Sequence, residues 1–502
     1  MKSKEFSPDL NENKTEITSD SNQKNEEEIK NIKQDVPIQI NTNTIIVPFN
    51  WNGFDAFCLM ILIFFGVFCR FWIIQYPRHM VYKEDNQIHV INSYLNGSLF
   101  IDTEPPFASM IMAGVSYLAD YNITYTLPRK EFNYSYHDMQ YVALRTTPAF
   151  FSTITIPLSF FIVRSFGGSR YAAFSAGLFV MFDFLLISLG RHIFTDGIIQ
   201  FLVSFTIFLI SISTHFNEES TSFIAIILFE SIFTGFSISS SVSAIGLWVF
   251  VIIYNVTYNK KFHISALLLN LFIPIIIFVF CFAYQVTLMP YHSSYDLILS
   301  DDFKAYLFNP GQKVDIHHST ILERAFELIH AMFYLRKKET NHAQIPLINS
   351  PPSNVNNNKW YLWPFMATKW VVLWTQKERY VSCFGNITTW WPICIGIFLC
   401  LLKFFLVGKI NSKSQILCLG YLTSLVTFIF YPSLRGLCDY EISLIFGLLF
   451  LPLFIEEEFS EECNGFLFTA LIFVSGFIFI LWAPLVYGYE NFDMRFFPYF
   501  AK

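Results

Sequence analysis

The sequence predicts an all-α polytopic membrane protein with about eleven transmembrane helices. Hydrophobic residues make up 53% of the 502 positions and charged residues only 14%. A soluble chain would carry about a quarter charged residues. Apolar runs of roughly 18 to 24 residues recur, and each is long enough to cross a hydrocarbon core of about 30 Å. A net charge of −6 with no basic stripe gives no indication of a nucleic-acid partner.

The first 48 residues are polar and rich in Asn, Lys, Glu and Ser. Such a segment cannot bury enough apolar surface to fold, so we expect a disordered cytosolic tail. It is too long and too acidic for the first part of a cleaved signal peptide, and the first span is therefore expected to remain as an anchor. Residues 49–502 are predicted to form one transmembrane domain.

Hydropathy places the spans along this domain, and the least certain break lies around Gly235 to Ser243. The predicted spans are Gly53–Tyr76, Tyr141–Phe166, Tyr171–Leu189, Thr195–Thr214, Ser222–Ile238, Ser241–Tyr258, Ile264–Val286, Trp390–Leu406, Gln415–Tyr431, Glu441–Ile455 and Phe466–Tyr487.

Short basic loops set the orientation, because cytosolic loops carry an excess of Lys and Arg. With the tail in the cytosol, three basic stretches fall on the cytosolic face: Arg164–Arg170, Asn259–His263 and Lys403–Lys413. The opposite face receives two long loops, residues 77–140 (the first loop) and 287–389 (the second loop). Four N-glycosylation sequons lie in these loops, at Asn96, Asn122, Asn133 and Asn386. They agree with a lumenal assignment in the endoplasmic reticulum.

The first loop concentrates acidic residues. Glu84 and Asp85 stand at the start of an amphipathic helix, where helix capping is the simpler explanation. Asp102 and Glu104 follow, directly before the stiff Pro105–Pro106 bend. Four carboxylates in about twenty residues exceed what one cap requires. Such a cluster can deprotonate an acceptor hydroxyl or bind a cation.

Charged side chains also stand at the predicted lumenal ends of spans: Arg145, Arg191, Asp196 and Arg435. Charges at membrane depth are costly and tend to mark functional sites. Arg191 and Asp196 are equally well explained as an interfacial ion pair. The guanidinium fork matches phosphate oxygens, so the arginines fit a lipid-phosphate substrate.

The nine cysteines lie mostly in apolar segments without a C-x-x-C pair, which predicts neither a disulfide framework nor a metal site. Cys383 and Cys438 could meet on one face, but we expect two free thiols. A secondary transporter is a further alternative. It would require internal repeats and polar groups near mid-membrane, whereas the acids here gather in a loop.

The order of several motifs resembles the protein O-mannosyltransferase family, whose members move mannose from dolichyl phosphate mannose to Ser or Thr. Arg70 ends the first span and Pro77 follows it. After them come N-S-Y, F-I-D-T-E-P-P-F, M-F-D-F…L-G-R-H-I-F-T-D-G, R-A-F-E-L-I-H, L-W-P-F and F-G-N-I-T-T-W-W. The resemblance extends from Phe57 to Leu451.

The resemblance implies the glycosyltransferase type C architecture and an inverting single displacement with a carboxylate as base. It implies an endoplasmic reticulum membrane location, a lipid-linked donor, Ser/Thr-containing acceptor proteins and a related subunit as dimer partner. No cofactor and no metal are expected. We take Glu84 and Asp85 as candidate catalytic residues. Candidate substrate-binding residues are Asp102, Glu104, Arg145, Arg191, Asp196 and Arg435.

The chain also departs from the family pattern. Lys83 stands where the family has an Asp, Glu104 stands for a His before the two prolines, and Asp439 stands for a late His. Ser243 and Ala244 replace a Lys-Trp pair, and the second loop is too short for the β-trefoil MIR domain. Two accounts remain open. Either the site is rewired, with Glu84 or Asp85 as base, or the chain is the catalytically silent partner of an active subunit.

Overall fold

The described part of the chain is mainly helical and contains one small sheet. A computed structural model describes residues 51–122, 135–136, 140–257, 264–308, 319–342, 344–347, 350–354, 359–376, 379–407 and 412–489. The predicted tail, residues 1–48, lies outside these ranges.

The helices are α1 Gly53–Phe71, α2 Glu84–Asn96, α3 Phe107–Leu118, α4 Tyr141–Ser165, α5 Arg170–Met181, α6 Phe184–Gly190, α7 Asp196–Ser213, α8 Thr221–Ile238, α9 Ile245–Thr257, α10 Ile264–Leu288, α11 Asp301–Tyr306, α12 Ile321–Thr340, α13 Ile387–Val407, α14 Lys413–Val426, α15 Glu441–Glu458, α16 Glu461–Trp482 and α17 Pro484–Tyr487. Short 3-10 turns are Val242–Ala244, Ser294–Ile298, Trp360–Leu362, Thr427–Ile429 and Gly436–Tyr440. The strands are β1 Gln344–Leu347, β2 Ser350–Asn354, β3 Val371–Gln376 and β4 Arg379–Cys383.

Within the described ranges, eight helices are long and apolar enough to cross a membrane: α1, α4, α7, α8, α10, α13, α15 and α16. A ninth span results if α5 and α6, which meet at a bend of 56°, cross together. Two shorter apolar segments, Val242–Thr257 and Lys413–Ile429, coincide with the remaining predicted spans. The polytopic helical fold class is therefore confirmed, whereas the count of eleven stays a prediction.

Helix α1 shows how the sequence fixes the start and end of a span. Asn52 and Asp55 form a reciprocal capping box, with hydrogen bonds of 3.0 to 3.1 Å that satisfy the first backbone N–H groups. Asp55 also forms an ion pair with Arg170 on the face predicted to be cytosolic. At the other end Arg70 is buried and donates to the Ser152 hydroxyl at 2.9 Å. The span is thus anchored at both ends by polar contacts.

Helix α15 forms the centre of the bundle. Every residue from Glu441 to Ile455 is buried, as expected for a helix that is apolar on all sides. Its neighbours include α14, α5 and α13. Close approach is possible because Gly420 of α14 faces the ring of Phe446, where a Cβ would lie only 2.2 Å from a ring carbon. Arg435 lies just before this helix, at the start of the 3-10 turn Gly436–Tyr440 that leads into it.

The second loop contains a four-stranded antiparallel sheet in the order β2-β1-β3-β4, which the all-α prediction lacked. The inner strand β3 is rich in β-branched and aromatic residues, and its Val371 pairs with Cys383 of the edge strand β4. The backbone N–H of Tyr82 donates to the carbonyl of Leu373 at 2.7 Å. This bond fastens the first loop to the sheet and places both loops at one end of the bundle.

Candidate active site

Two adjacent cavities lie where the first loop meets the ends of the spans and the sheet. The inner cavity, of about 70 Å³, is lined by Lys83, Asp102, Glu104, Asp196 and Arg435 among others. The outer cavity, of about 290 Å³, adds Asp85 and Glu339. Both share the wall residues Tyr82, Lys83, Asn86, Asp102 and Thr103. The cavities therefore combine carboxylates and cations at one place.

Lys83 stands directly before α2 with a φ of 66°, in the left-handed region. That conformation is unusual for a residue with a Cβ and is retained where the surrounding structure enforces it. It turns the chain so that the Lys83 side chain lines both cavities while Glu84 points into the protein.

Glu84 is fully buried and accepts five hydrogen bonds. Arg145 Nε and Nη2 each donate to one carboxylate oxygen at 2.9 Å. The Tyr136 hydroxyl donates at 2.8 Å, and the backbone N–H groups of Val81 and Ile193 donate at 2.9 Å. No lone pair of the carboxylate is left for a substrate.

Electrostatics agree with this geometry. Burial alone would raise the pKa of the Glu84 carboxyl, but the charge and hydrogen bonds of Arg145 outweigh burial and hold it at about 2. Glu84 lines neither cavity. The prediction of Glu84 as catalytic base therefore does not fit the structure, and the geometry gives it a positioning role.

Arg145 and Arg191, both predicted to bind substrate, are also absent from the walls of the two cavities. Besides Glu84, Arg145 donates to the carbonyl of Pro77 at 2.8 Å. Arg191 donates to the carbonyl of Trp72 at 2.7 Å and lies 4.3 Å from the Tyr487 ring centroid. Both arginines hold the chain that leaves α1, so a direct contact with substrate is not favoured.

Asp196 and Arg435 do meet in the inner cavity. Arg435 Nη1 lies 2.7 and 2.8 Å from the two Asp196 oxygens, and its Nε lies 2.7 Å from Asp439. Asp439 in turn accepts from the Ser433 hydroxyl at 2.7 Å. The interfacial Arg191–Asp196 pair considered from sequence is not formed. The partner of Asp196 is Arg435, 239 residues away.

Glu104 closes one side of the inner cavity through an ion pair with Arg336 of α12. Its second oxygen accepts from the backbone N–H of Val242 at 3.0 Å and from the Ser241 hydroxyl at 3.3 Å. Arg336 was not among the predicted site residues. Its position on the buried face of an amphipathic helix is a sequence signal for a paired charge, but the sequence does not indicate that the partner is Glu104.

Asp102 is part of the wall shared by both cavities. One of its oxygens accepts from the backbone N–H of Thr103 at 2.7 Å, and within the described chain the other accepts no hydrogen bond. Burial, followed by the neighbouring carboxylates Glu104 and Glu339, raises the pKa of Asp102 to about 6, although the Thr103 N–H and Lys83 oppose this. Asp102 thus combines an available oxygen with a pKa suited to general base catalysis near neutral pH.

The pKa of Lys83 is lowered, first by burial and then by the charge of Arg435. Asp439, Glu339 and Asp102 act in the opposite direction. Because burial and Arg435 disfavour the charged form of Lys83, an additional negative group in the cavity would stabilise that charge. Asp85 lines the outer cavity, where its predicted catalytic role stays a prediction.

The G-N-I-T-T-W-W stretch, which contains the start of α13, has a structural role. Asn386 is fully buried and donates to the Ser475 hydroxyl at 3.0 Å, so this sequon does not mark an exposed loop. Trp390 is also buried, and its Nε1 donates to Asp183 at 2.7 Å. Asn133 lies outside the described residues. Among the described residues no group of three or more His, Cys, Asp or Glu side chains is arranged to hold a metal ion.

Comparison with solved structures identifies the architecture. The Saccharomyces cerevisiae protein O-mannosyltransferase Pmt1-Pmt2 complex bound to the sugar donor contains a chain that superposes with a TM-score of 0.75 and 12% identity, over 88% of this chain and 91% of that chain. An oligosaccharyltransferase of Archaeoglobus fulgidus superposes with a TM-score of 0.50 and 10% identity, over 87% of this chain and 56% of that one. The class is therefore a polytopic membrane protein of glycosyltransferase type C architecture.

Sequence comparison narrows the class. The family model of the dolichyl-phosphate-mannose-protein mannosyltransferases matches residues 60–290. Dolichyl-phosphate-mannose–protein mannosyltransferase 2 of Candida albicans is 25% identical over 64% of this chain and 43% of its own length. Mannosyltransferase 4 of Schizosaccharomyces pombe is 29% identical over 39% of this chain and 25% of its own length. The chain is thus similar to this family over residues 60–290, and it spans less than half the length of these curated relatives.

Proposed function

We propose that this protein transfers mannose from dolichyl phosphate mannose to Ser or Thr hydroxyls of proteins in the lumen of the endoplasmic reticulum. One observation carries the proposal: the carboxylate of Asp102 and the cation of Lys83 share the wall between two cavities that also contain Asp85 and Arg435. A base and a phosphate-binding charge are the two groups that such a transfer requires.

Asp102 is assigned the role of base. The acceptor hydroxyl gives its proton to the Asp102 carboxylate as its oxygen attacks the anomeric carbon of mannose. The bond from that carbon to the phosphate oxygen breaks on the opposite face, which inverts the configuration and releases dolichyl phosphate. General base catalysis of this kind contributes roughly 10² to 10⁴ in rate.

Lys83 and Arg435 are assigned to the leaving phosphate. Charge develops on the phosphate as the glycosidic bond breaks, and fixed cations stabilise that charge. Asp196 and Asp439 hold Arg435 in place with contacts of 2.7 Å each. The loss of the family Asp at position 83 is then offset by a base from the neighbouring Asp102 side chain.

The lysine at position 83 is also consistent with a second function. Lys83 occupies the place at which the family carries an acidic residue, and it lines both cavities. A chain with this change could serve as the catalytically silent subunit beside an active mannosyltransferase. The similarity to a chain of a two-subunit mannosyltransferase complex supports a related partner under either account.

Transfer in microsomes tests the proposal. Microsomes with this chain, alone and together with each related subunit of its organism, receive labelled dolichyl phosphate mannose and a Ser/Thr-rich peptide. An active subunit gives label that depends on Asp102. A silent subunit gives label only beside a partner, and that label is unchanged by Asp102→Asn.

A further inference from the structure

The outer cavity is the larger of the two, and the proposed mechanism leaves its occupant unassigned. Its volume is about 290 Å³, against about 70 Å³ for the inner cavity. Arg435 and Asp196 line only the inner cavity, whereas Asp102 belongs to the wall that both cavities share. The outer cavity therefore offers space beside the proposed base on the side away from Arg435.

The stereochemistry of the proposed transfer assigns a side to each substrate. In an inverting displacement the acceptor oxygen attacks the anomeric carbon from the face opposite the leaving phosphate. With the phosphate held at Arg435 in the inner cavity, the acceptor enters through the outer cavity and reaches Asp102 on the shared wall. The residues that flank the acceptor Ser or Thr are thus expected to lie in the outer cavity.

Helix α12 supplies one side of that cavity. Leu335 and Glu339 both line it, and their spacing of four positions places them on one face of the helix. Arg336, between them, is buried and forms an ion pair with Glu104 at the inner cavity. This ion pair fixes the last turn of α12 against the first loop, so that Glu339 is presented from a held helix end.

The walls of the outer cavity combine apolar and acidic groups. The rings of Phe100 and Tyr295 lie 4.8 Å apart between centroids, and both line the cavity together with Leu335. Glu339, which is exposed, and Asp85, which is half-buried, add carboxylates. A Lys or Arg side chain has the matching form, because it joins an apolar stem to a cationic end. Aromatic rings also attract such a cation.

The charge of the outer cavity is negative. Asp85, Asp102 and Glu339 line it with three carboxyl groups, and Lys83 is the one basic side chain among its lining residues in the described chain. Neither Asp85 nor Glu339 forms an ion pair with another described residue. The described carboxylates are also not grouped to hold a metal ion. Their arrangement fits an extended organic cation.

We propose that the outer cavity selects acceptor segments with a Lys or Arg residue close to the Ser or Thr that receives mannose, and that Glu339 determines this specificity. The proposal rests on the proposed function, because it takes Asp102 as base and the outer cavity as the acceptor path. The stem of the basic side chain lies along Tyr295 and Leu335, and its charged end lies beside Glu339. An acidic residue at the same place would bring like charges together, which is unfavourable.

Acceptor peptides that differ in one residue test the proposal. Each peptide contains a single Thr and, at a position scanned on both sides of it, Lys, Gln or Glu. Transfer is measured in microsomes with saturating dolichyl phosphate mannose and the partner subunit held constant. At the best position we expect the KM for the Lys peptide to be about tenfold lower than for the Glu peptide, which corresponds to about 1.4 kcal/mol. The Gln peptide should lie between them, and kcat should change little.

Reversing the charge of Glu339 should reverse the preference. In Glu339→Lys we expect the Glu peptide to have the lowest KM, and in Glu339→Gln the three values should converge. Asp301→Lys is the matched control, because Asp301 is a fully exposed acid of the second loop and lines neither cavity. It should keep the wild-type order. The same order in Glu339→Lys as in the wild type would overturn the proposal.

Salt provides a second criterion. Because Glu339 is exposed, its attraction for a peptide cation is screened, and the Debye length falls from about 10 Å at 0.1 M to about 3 Å at 1 M ionic strength. The ratio of the KM values for the Lys and Glu peptides should therefore approach one at high salt. A preference that is equally strong at both ionic strengths would contradict selection by charge.

Photocrosslinking separates this proposal from the proposed function, since it reports binding without transfer. A Lys peptide with a photoreactive group beside the Lys should be linked to the segments around Tyr295 and Leu335, and unlabelled Lys peptide should compete better than Glu peptide. Transfer without any charge preference would overturn only the specificity. Charge-selective crosslinking in a chain that transfers no mannose with any subunit would overturn only the proposed activity. The absence of both transfer and crosslinks would overturn both.

Discussion

Glu84 and Arg145 form a buried ion pair in which each carboxylate oxygen lies 2.9 Å from a guanidinium nitrogen. Both side chains are 0% exposed. The pair joins the start of the first loop helix to α4 across 61 positions of sequence. Arg145 extends the link to the backbone at Pro77. These contacts fix the start of the first loop to α4. They thereby also position the residues of this loop that line the two cavities.

Removing the acidic partner should destabilise the protein. Glu84→Gln leaves the Arg145 charge buried without its counter-ion, and breaking such a pair costs roughly 3 to 5 kcal/mol. We expect a clearly lower midpoint of thermal unfolding in detergent. Asp85→Asn, one position along, is the matched control and should leave the midpoint nearly unchanged. Equal midpoints for both variants would contradict the anchoring role of Glu84.

The same pair predicts acid sensitivity. The pKa of Glu84 is lowered from its ordinary value of 4.5 to about 2 on folding. Because the folded pKa is the lower one, the stabilisation is present above about pH 4.5 and is lost as the pH falls toward 2. The unfolding midpoint of Glu84→Gln should therefore depend less on pH across this window than that of the wild type. Parallel curves for the two proteins would rule out Glu84 as the titrating group.

Mannose transfer should depend on the ionisation of Asp102. Only the carboxylate accepts a proton, and its pKa is raised to about 6. The rate should therefore rise with pH through about 6 and level off above it. Initial rates between pH 5 and 8 with saturating donor measure this limb. A rate that does not fall between pH 7 and 5 would exclude Asp102 as base.

Lys83 can be neutralised without disturbing its backbone. Asn tolerates the left-handed conformation that Lys83 adopts, so Lys83→Asn removes the charge and keeps the turn. If Lys83 binds the donor phosphate, the KM for dolichyl phosphate mannose should rise about tenfold, which corresponds to about 1.4 kcal/mol. An unchanged KM would favour the silent-subunit account. The unfolding midpoint of the variant shows whether the fold is intact.

Arg435 should not be replaceable by Lys. Its guanidinium contacts Asp196 and Asp439 simultaneously, whereas one ammonium group cannot match that planar geometry. Arg435→Lys should raise the KM for the donor about tenfold or more. Arg324→Lys is a suitable control, because Arg324 stacks on Tyr306 and lines neither cavity. A similar KM for both variants would contradict the role of Arg435 in donor binding.

Two sequons should differ in occupancy. Asn96 is exposed at the end of α2, whereas Asn386 is buried and bonded to Ser475. We expect a glycan at Asn96 that is lost in Ser98→Ala, and none at Asn386. The shift in electrophoretic mobility after glycosidase treatment measures the first, and peptide mass spectrometry measures the second. A glycan at Asn386 would mean that the segment before α13 is accessible when the glycan is added.

The membrane fold was predictable because its signal is local. Each long span is an uninterrupted apolar run, and the ordered motifs from Arg70 to Trp391 resemble the family whose model matches residues 60–290. The sheet was not predicted. Strands β3 and β4 are short runs rich in β-branched and aromatic residues, but hydropathy does not distinguish such short strands from a loop between spans.

The roles of individual site residues were harder to predict, since they depend on pairing over long sequence distances. Nothing local distinguishes Glu84, which is locked by Arg145, from Asp102, which keeps an available oxygen. Arg336 reaches Glu104 across 232 positions and gave no local sign of its partner. Chemical type and clustering indicated the site, and the fold decided which members face it.

The most direct test of the central claim is mannose transfer by Asp102→Asn. Asn keeps the shape of Asp102 but cannot accept the acceptor proton as a carboxylate does. Asp301→Asn is the control, because Asp301 is an exposed acid of the second loop whose side chain is 99% accessible. With the partner subunit that gives the highest transfer held constant, we predict that Asp102→Asn lowers kcat by roughly 10² to 10⁴ and Asp301→Asn leaves it unchanged. Transfer at the wild-type rate by Asp102→Asn would contradict the account and leave this chain as the silent subunit.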